Sequence, residues 1–303
     1  MKLTLIGTGL MGLPMAHHLL DAGFELTVWN RTPAKAAPLC ERGAQWAETP
    51  EAATADADIV ILMLENGTVV EHVLYDLKAL SALRSDSLLI DMGSTPPTLA
   101  KKHALDAQTQ GADYLDAPVS GGQVGAEQAT LSIMVGGSQS ALKRAQPVFD
   151  VLGKKTTYIG PAGSGQLAKC ANQAIVGITI GAVSEALLLA SAGGANPAAV
   201  REALLGGFAD SRILELHGQR MIEREFTPGA TSRVQLKDLR TILDTAHDHQ
   251  LTLPLTQRTH DEYLALVNQG LDHVDHSGLL LQLEALNQPA KVQTHSHKEQ
   301  TDA

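Results

Sequence analysis

Aromatic side chains are scarce in this chain. Of its 303 residues only 3% are Phe, Tyr or Trp, whereas 44% are hydrophobic. The cores must therefore be built mainly from Ala, Leu, Val and Ile. Proteins that bind single-stranded nucleic acid stack successive bases on exposed rings. A chain with two Trp, four Tyr and four Phe offers little material for such a platform.

Basic residues are also in the minority. The chain has 23 Lys and Arg against 33 Asp and Glu, which gives a formal net charge of −10. A surface of this sign repels phosphate backbones unless a local basic patch overrides it. Because the longest basic run is Lys101-Lys102, we expect no nucleic acid partner.

Cysteine usage and apolar runs bear on the compartment. The chain has two cysteines, Cys40 and Cys170, too few for a disulfide framework, so we expect a reducing, cytoplasmic location. Glycines at positions 7, 9 and 12 interrupt the first apolar stretch, which argues against a secretory signal. A second apolar run at residues 174–192 approaches bilayer length but contains Glu185, which is unfavourable in lipid. We therefore expect no membrane partner and interpret this run as a helix between two globular parts.

Strands and helices alternate in the first half of the chain. Short apolar runs predict strands at residues 2–6, 25–29, 58–64, 87–92, 114–117, 130–135 and 156–159. Helical spacing occurs between some of them, at residues 10–22, 33–40 and 69–80. This alternation is typical of βαβ units and predicts a largely parallel sheet.

The second half of the chain predicts helices only. They are expected at residues 197–205, 211–223, 234–249, 254–268 and 277–286. The predicted fold class is α/β: a Rossmann-type doubly wound sheet at residues 1–161, followed by an all-α domain at residues 162–289, joined by the long interdomain helix. Residues 290–303 are polar without periodicity, and we expect them to be a disordered tail.

A glycine motif follows the first predicted strand. Residues 7–12 read Gly-Thr-Gly-Leu-Met-Gly, a G-x-G-x-x-G at the start of the first predicted helix. In such motifs the first glycine allows a tight turn, the second lets the backbone approach a pyrophosphate, and the third permits close packing of helix on strand. The helix N-terminus favours the phosphates. We predict a dinucleotide site that includes Gly7, Thr8, Gly9, Leu10 and Met11.

The end of the second predicted strand bears on which cofactor binds. NAD sites usually carry Asp or Glu there for the ribose 2′-hydroxyl, whereas this chain has Asn30, Arg31 and Thr32. A guanidinium can bind a 2′-phosphate through charge-assisted hydrogen bonds. We therefore predict NADP as cofactor, with NADPH preferred over NADH. The alternative is that Arg31 is a solvated surface residue.

A second glycine-rich stretch follows the predicted strand at residues 114–117. Residues 116–122 read Asp-Ala-Pro-Val-Ser-Gly-Gly, at the strand end where open α/β sheets bind ligands. Ser120 and the backbone N–H groups of Gly121 and Gly122 could surround a carboxylate. A turn rich in Pro and Gly also needs no ligand, and the residues alone leave both interpretations open.

The long helix begins with a possible acid. Lys169 and Asn172 are three residues apart and so share one face of the helix. A lysine that faces inward without a partner would have a lowered pKa, which suits a general acid. Alternatively Lys169 extends to solvent near the helix start, and the residues alone slightly favour this second position.

Together these motifs resemble the β-hydroxyacid dehydrogenase family over residues 2–286. The resemblance includes Met-Gly-Leu-Pro-Met at residues 11–15, the stretches 116–122 and 163–172, and Lys-Asp-Leu at residues 237–239. Leu-Gly-Gly-Phe at 205–208 and Asp-His-Ser at 275–277 are similar to the branch of the family that acts on tartronate semialdehyde. Glu65 and Ala129 depart from the family pattern, which commonly has Pro and Gly there.

The resemblance implies roles for particular residues. Lys169 would be the catalytic acid and base, and Asn172 would help hold it and the substrate oxygen. Ser120, a third catalytic residue, would bind the substrate carboxylate together with Gly121 and Gly122. Lys237 would contact the cofactor and the substrate. The remaining cofactor contacts would come from Met63, Leu64 and Thr95.

The implied activity is NADPH-dependent reduction of a small carboxylated aldehyde to its hydroxy acid. Tartronate semialdehyde is the first candidate, followed by glyoxylate and succinic semialdehyde. An imine reductase of the same fold is an alternative that would not need Lys169 and Asn172. A catalytically silent NADP-binding module is another, which usually lacks the lysine.

Two further expectations concern metals and assembly. His273 and His276 could converge, but the chain shows no closed ligand set, so we expect no metal site. Asp275 or Ser277 is instead expected to cap the last helix. Small helical second domains often pair, and we expect a homodimer or homotetramer.

Overall fold

The computed structural model describes residues 1–293, and contacts divide the chain into two units, Met1–Lys169 and Cys170–Ala303. Most of the predicted tail, residues 294–303, lies outside the described residues. The first residues of the predicted tail pack within the second unit. Val292 is buried, and its N–H donates to the carboxylate of Glu284 at 2.9 Å.

The first unit contains a nine-stranded sheet in the order β3-β2-β1-β4-β5-β6-β8-β7, with β9 paired to β8. Its strands are β1 Lys2–Ile6, β2 Glu25–Trp29, β3 Gln45–Trp46, β4 Ile59–Leu62, β5 Leu88–Asp91, β6 Asp113–Asp116, β7 Val119–Ser120, β8 Leu131–Gly137 and β9 Gly153–Gly160. The pairs from β3 to β6 are parallel, whereas β8 runs antiparallel to β6 and β7. The predicted doubly wound α/β class is confirmed.

The central strands read as continuous apolar runs because both faces of the sheet are covered. Successive side chains point to opposite faces, and β4 divides its residues between two hydrophobic cores on this basis. Ile59 and Ile61 belong to one core, and Val60 and Leu62 to the other. All four are almost fully buried.

The helices of the first unit are more numerous than the sequence predicted. They are α1 Gly12–Asp21, α2 Ala37–Cys40, α3 Pro50–Thr54, α4 Gly67–Glu71, α5 Pro97–Thr109, α6 Gly122–Glu127 and α7 Gln139–Leu152. The helices at 97–109 and 139–152 are not among those predicted from the sequence. The segment predicted as a helix at 69–80 is a short helix followed by a π-turn at His72–Asp76. Pro147 lies inside α7, which weakens the local helix signal there.

A 29-residue helix, α8 Ser164–Ala192, runs from the end of the first unit into the second. The second unit continues with α9 Pro197–Leu204, α10 Arg212–Glu223, α11 Ser232–Asp248, α12 Pro254–Asn268 and α13 Leu279–Leu286. Its core includes Leu187, Leu239, Tyr263 and Leu280. The predicted helical second half is confirmed.

Helix α8 is long and apolar enough to cross a membrane by length and composition, and it is the one such helix among residues 1–293. Only 39% of its most apolar window is buried, and Glu185 on this helix is exposed. Its exposed positions include large aliphatic side chains, Ile175 and Leu189.

Ala129 stands where the resemblance described above implies glycine, and its backbone conformation is one that favours glycine. Its φ is +53°, in the left-handed region that costs L-residues other than glycine roughly 1–2 kcal/mol. The residue follows α6 and directly precedes the segment that leads into β8. The departure from the family pattern therefore adds local backbone strain.

Candidate dinucleotide and substrate site

The predicted cofactor residues of the first unit follow the carboxyl ends of β1, β2, β4 and β5, and the strand order reverses between β1 and β4. Open α/β sheets bind ligands at this point. The remaining one, Lys237, lies on α11 in the second unit. Gly7 has a φ of +105°, and a methyl group placed on it would overlap the carbonyl oxygen of Met63 and lie 3.0 Å from Leu64. The loops after β1 and β4 are therefore in direct contact, and Gly7 is required for that approach.

The other two glycines of the motif differ in what they contact. A methyl group on Gly12 would overlap the carbonyl oxygen of Gly7, so this glycine lets α1 begin directly against the turn. A methyl group on Gly9 would meet no protein atom within 4 Å. The protein itself thus has room for a side chain at Gly9. This open side fits a cofactor whose pyrophosphate approaches the backbone.

The residues after β2 lie beside the glycine turn. Asn30 accepts a hydrogen bond from the backbone N–H of Thr8 at 3.1 Å and donates to the carbonyl oxygen of Thr32 at 2.9 Å. Arg31 and Thr32 are exposed. Asn30 therefore connects the glycine turn to the segment that would recognise the ribose.

The remaining residues of the turn and of β4 differ in exposure. Leu10 is exposed, whereas Met11 and Met63 pack partly against the first core. Leu64 packs partly against the second core.

The loop after β5 is held by a buried carboxylate. Asp91 accepts hydrogen bonds from the N–H of Gly93 at 3.0 Å and from the hydroxyl of Thr95 at 2.8 Å. The side chain of Gln166 in α8 accepts from Thr95 N–H at 3.2 Å and donates to the carbonyl oxygen of Gly93 at 2.9 Å. Thr95 is buried, and its hydroxyl holds this loop in place.

The predicted substrate loop is partly a strand. Ser120 lies in β7, opposite Ser132 of β8, so the stretch read as a turn is tied to the sheet. Gly121 and Gly122 follow with φ values of +137° and +59°, conformations that glycine adopts without strain. Gly122 is the first residue of α6, so the chain turns sharply between β7 and this helix.

Lys169 lies next to this loop within the first unit. Its Nζ donates to the carbonyl oxygen of Val119 at 2.9 Å, and its side chain is half-buried. The backbone carbonyl thus holds the ammonium group one residue away from Ser120. This arrangement brings together the predicted acid and the predicted carboxylate-binding residue.

A buried carboxylate, Asp116, lies at the end of β6, where α8 begins. It accepts hydrogen bonds from the N–H groups of Gly163 and Gln166, each at 2.8 Å. Burial raises the pKa of Asp116 to about 6, although these two hydrogen bonds act in the opposite direction.

Two other predicted residues are connected within the second unit. Asn172 donates to the side-chain oxygen of Gln173 at 2.8 Å, and Gln173 donates to Asp238 at 2.6 Å. Lys237 forms an ion pair with Asp238 at 2.9 Å. Asp238 is only 3% exposed. A continuous chain of hydrogen bonds therefore joins Asn172 to Lys237.

Five residues whose side chains enter these networks were not predicted as site residues: Asp91, Asp116, Gln166, Gln173 and Asp238. The sequence did offer a signal for Asp91 and Asp116. Each is the last residue of an apolar strand, at the edge of the sheet where ligands bind. Asp238 stood in a quoted motif beside Lys237. Gln173 is adjacent to Asn172, but its hydrogen bond to Asp238 joins residues 65 positions apart and leaves no local signal.

The histidines weighed as metal ligands do not converge as a pair. His273 is exposed beside Asp272, whereas His276 is 9% exposed and its Nε2 lies 3.1 Å from Nε2 of His217. His217, Asp275 and His276 place possible ligand atoms within 4.8 Å of one another. Burial lowers the pKa of His276 to about 4.

Asp275 in this cluster already has several protein partners. It accepts from the N–H and hydroxyl of Ser277 at 3.0 and 2.7 Å and from Gly229 N–H at 3.0 Å, and it pairs with Arg220 at 2.9 Å. Burial would raise its pKa, but the nearby His217 and His276 and the hydrogen bonds from Ser277 hold that pKa below its usual range. We interpret the cluster as structural; Asp275 caps the short turn before α13.

Two family models together match most of the chain. Residues 2–160 match the NAD binding domain of 6-phosphogluconate dehydrogenase, and residues 163–283 match the NAD-binding domain of NADP-dependent 3-hydroxyisobutyrate dehydrogenase. The chain is 44% identical to 2-hydroxy-3-oxopropionate reductase of Escherichia coli, over 94% of this chain and 98% of that protein. The chain belongs to the 3-hydroxyisobutyrate dehydrogenase family.

Solved structures agree with this membership. A 3-hydroxyisobutyrate dehydrogenase of Mycobacterium tuberculosis, solved with L-serine, superimposes with a TM-score of 0.86 at 31% identity, over 93% of this chain and 98% of that chain. An imine reductase of Streptomyces aurantiacus reaches a TM-score of 0.62 at 25% identity, over 93% and 99%. As a 3-hydroxyisobutyrate dehydrogenase family member, the protein is an NAD(P)-dependent oxidoreductase of the hydroxyacid dehydrogenase and semialdehyde reductase type.

Substitutions at Gly9 and Gly12 should separate cofactor binding from stability. Gly9→Ala adds a methyl group where no protein atom is near, so its free energy of unfolding without cofactor should change by less than about 0.5 kcal/mol. Its affinity for the dinucleotide should fall about tenfold or more, because the methyl group blocks the approach of the pyrophosphate. Gly12→Ala should lose about 1–3 kcal/mol of stability through overlap with the backbone.

Chemical denaturation and fluorescence titration with NADPH measure the two effects. Normal NADPH affinity in Gly9→Ala would contradict the assigned position of the pyrophosphate.

Proposed function

We propose that this protein is an NADPH-dependent reductase that interconverts a small carboxylated aldehyde and its hydroxy acid. Tartronate semialdehyde, reduced to glycerate, is the first substrate, with glyoxylate and succinic semialdehyde next. The observation that carries the proposal is the contact of Lys169 with Val119, which holds an ammonium group beside Ser120. The 44% identity to a 2-hydroxy-3-oxopropionate reductase supports the substrate class.

In the proposed reaction Lys169 moves the proton. The nicotinamide cofactor supplies the hydride when it is bound. Lys169 Nζ donates a proton to the oxygen of the aldehyde as that oxygen gains negative charge, and in the oxidative direction it accepts the hydroxyl proton. The carbonyl oxygen of Val119 orients the ammonium group. Asn172, on the same helix, helps to position the lysine and the substrate oxygen.

The substrate carboxylate is placed by the loop after β7. The hydroxyl of Ser120 and the N–H groups of Gly121 and Gly122 can donate hydrogen bonds to it. The family resemblance also gives Lys237 a role in substrate binding, and its ammonium group is paired with Asp238 at 2.9 Å. Groups that orient both ends of a small substrate lower the entropy barrier for the reaction.

The cofactor preference follows from the residues after β2. No carboxylate stands at Asn30, Arg31 or Thr32 to repel a 2′-phosphate, and Arg31 is exposed for contact with it. The family model that matches the second half is described as NADP-dependent. We propose a cytoplasmic location, because two cysteines in a chain of this length are too few for a disulfide framework.

An imine reductase is the second candidate, favoured by the similarity to the enzyme from Streptomyces aurantiacus. Consumption of NADPH with short semialdehydes, glyoxylate and cyclic imines distinguishes the two activities. The proposed reductase turns over the carboxylated aldehydes and leaves imines unchanged. A preference for substrates without a carboxylate would favour the imine reductase.

Replacing Lys169 should remove most turnover. Lys169→Ala should lower kcat about 10²–10⁴-fold through loss of the proton donor, while the dissociation constant for NADPH stays near that of the unmodified enzyme. Lys169→Arg keeps the charge but cannot release a proton near neutral pH, so it should be similarly inactive. Lys143→Ala, at an exposed position on α7, is the matched control. A fully active Lys169→Ala enzyme would refute the assignment.

Arg31 should decide between the two nicotinamide cofactors. We expect KM for NADPH to be lower than KM for NADH, and Arg31→Ala to raise the first about tenfold or more with little change in the second. Arg84→Ala, an exposed arginine paired with Asp58, should leave both constants unchanged. Equal or better use of NADH by the unmodified enzyme would overturn the NADP assignment.

We also propose that the chain forms a homodimer or homotetramer, with α8 as the contact surface. Ile175 and Leu189 are 66% and 76% exposed on this helix, and a second copy of the chain would cover them. Light scattering should give a multiple of the 32.0 kDa chain mass. The double variant Ile175→Glu, Leu189→Glu should shift to the monomer, whereas Leu105→Glu on α5 should not. A monomeric unmodified protein would refute the proposal.

A further inference from the structure

The carboxylate of Asp116 holds the start of the helix that carries Lys169. It accepts the N–H groups of Gly163 and Gln166, each at 2.8 Å, and the residue is fully buried. The first N–H groups of a helix have no partner within the helix. A carboxylate that accepts two of them fixes the position of the first turn more firmly than one neutral acceptor.

The same short segment also holds the lysine itself. Val119 lies three residues after Asp116, and its carbonyl oxygen accepts a hydrogen bond from Lys169 Nζ at 2.9 Å. Residues 116–119 therefore contact residues 163–169 at two points, once at the helix start and once at the ammonium group. The spacing between the Asp116 carboxylate and the Val119 carbonyl oxygen therefore determines the position of Lys169 Nζ.

Close packing prevents the Asp116 carboxylate from taking another position. A methyl group on Gly136 of β8 would lie 2.5 Å from Oδ1 of Asp116, and one on Gly165 would lie 2.5 Å from its backbone carbonyl oxygen. Both neighbours are glycines because the helix start and the strand end touch. The carboxylate is thus closely packed against β8 and the start of α8, and both of its oxygens accept from N–H donors.

We propose that Asp116 is a positioning residue for the reduction, which keeps Lys169 Nζ beside Val119 and Ser120 by fixing the first turn of α8. This inference rests on the proposed acid role of Lys169. Asp116 acts through the helix and does not contact the substrate.

The charge of Asp116 matters as well as its shape. Two oxygens of a carboxylate accept hydrogen bonds, whereas an amide of the same size presents one acceptor and one donor. The raised pKa of about 6 means that the group becomes protonated in mildly acidic solution. Asp91 on β5 is the charged group that raises this pKa besides burial, while β8 presents Gly136 and α8 presents backbone N–H groups. Protonation removes an acceptor and weakens the contact with α8.

Asp116→Asn tests the proposal. At pH 7.5 we expect kcat for the semialdehyde to fall about 10- to 100-fold through the lost charged hydrogen bond, with the dissociation constant for NADPH unchanged within about threefold. As the pH falls from 7.5 to 5, the ratio of the two kcat values should shrink, because the unmodified carboxyl becomes neutral too. Asp113→Asn on the same strand, at a partly exposed residue paired with Arg144, should leave kcat unchanged.

Each other result has a defined meaning. The proposal is overturned if Asp116→Asn behaves like Asp113→Asn, or if the kcat ratio is independent of pH. Asp116→Ser, which removes atoms and adds no opposing amide, should give the same pattern if Asp116→Asn does not fold. If neither variant folds with NADPH bound, Asp116 is structural and the proposal fails. Lys169→Ala measured alongside separates the two hypotheses: full activity there refutes the acid role itself.

Discussion

The enclosed carboxylate at the end of β6 is the constraint that joins the sheet of the first unit to the start of α8. A carboxylate removed from water is unfavourable unless hydrogen bonds replace its hydration. Here two backbone N–H groups from the start of α8 provide them. The strand end and the helix start therefore stabilise each other, and neither has its native environment without the other. Lys169 lies in the second turn of the same helix. We therefore expect its position to depend on the hydrogen bonds between Asp116 and the helix start.

The chain uses buried carboxylates repeatedly to organise its loops. Asp91 orders the segment after β5, Asp238 holds Lys237 in the second unit, and Asp275 joins two loops and Arg220. The net charge of −10 thus says little about the charge that a ligand meets at the site, since several of the acidic groups are buried and bonded within the protein. What a substrate or cofactor anion meets is set by a few placed cations and N–H groups.

The sequence was informative where local chemistry decides the structure. The glycine turn, the apolar central strands and the helical second half all follow from patterns within short windows, and they appear in the structure with similar boundaries. The helix at 97–109 has a weak apolar periodicity, and the helix at 139–152 contains Pro147, which disfavours a helix in its local sequence. Ser120 looked like part of a turn because its strand is two residues long and depends on pairing with β8. The hydrogen bond between Gln173 and Asp238 could not be predicted, since these two residues are 65 positions apart in the sequence.

The scarcity of aromatic residues has an optical consequence. Both tryptophans, Trp29 and Trp46, lie on the neighbouring strands β2 and β3 of the first unit. The second unit has Tyr263 and two phenylalanines, Phe208 and Phe226. Intrinsic tryptophan emission therefore reports on the nucleotide-binding unit alone. Trp29 directly precedes Asn30 and Arg31, so one natural fluorophore lies at the end of the strand where the cofactor ribose is expected. The helical unit contributes no tryptophan emission.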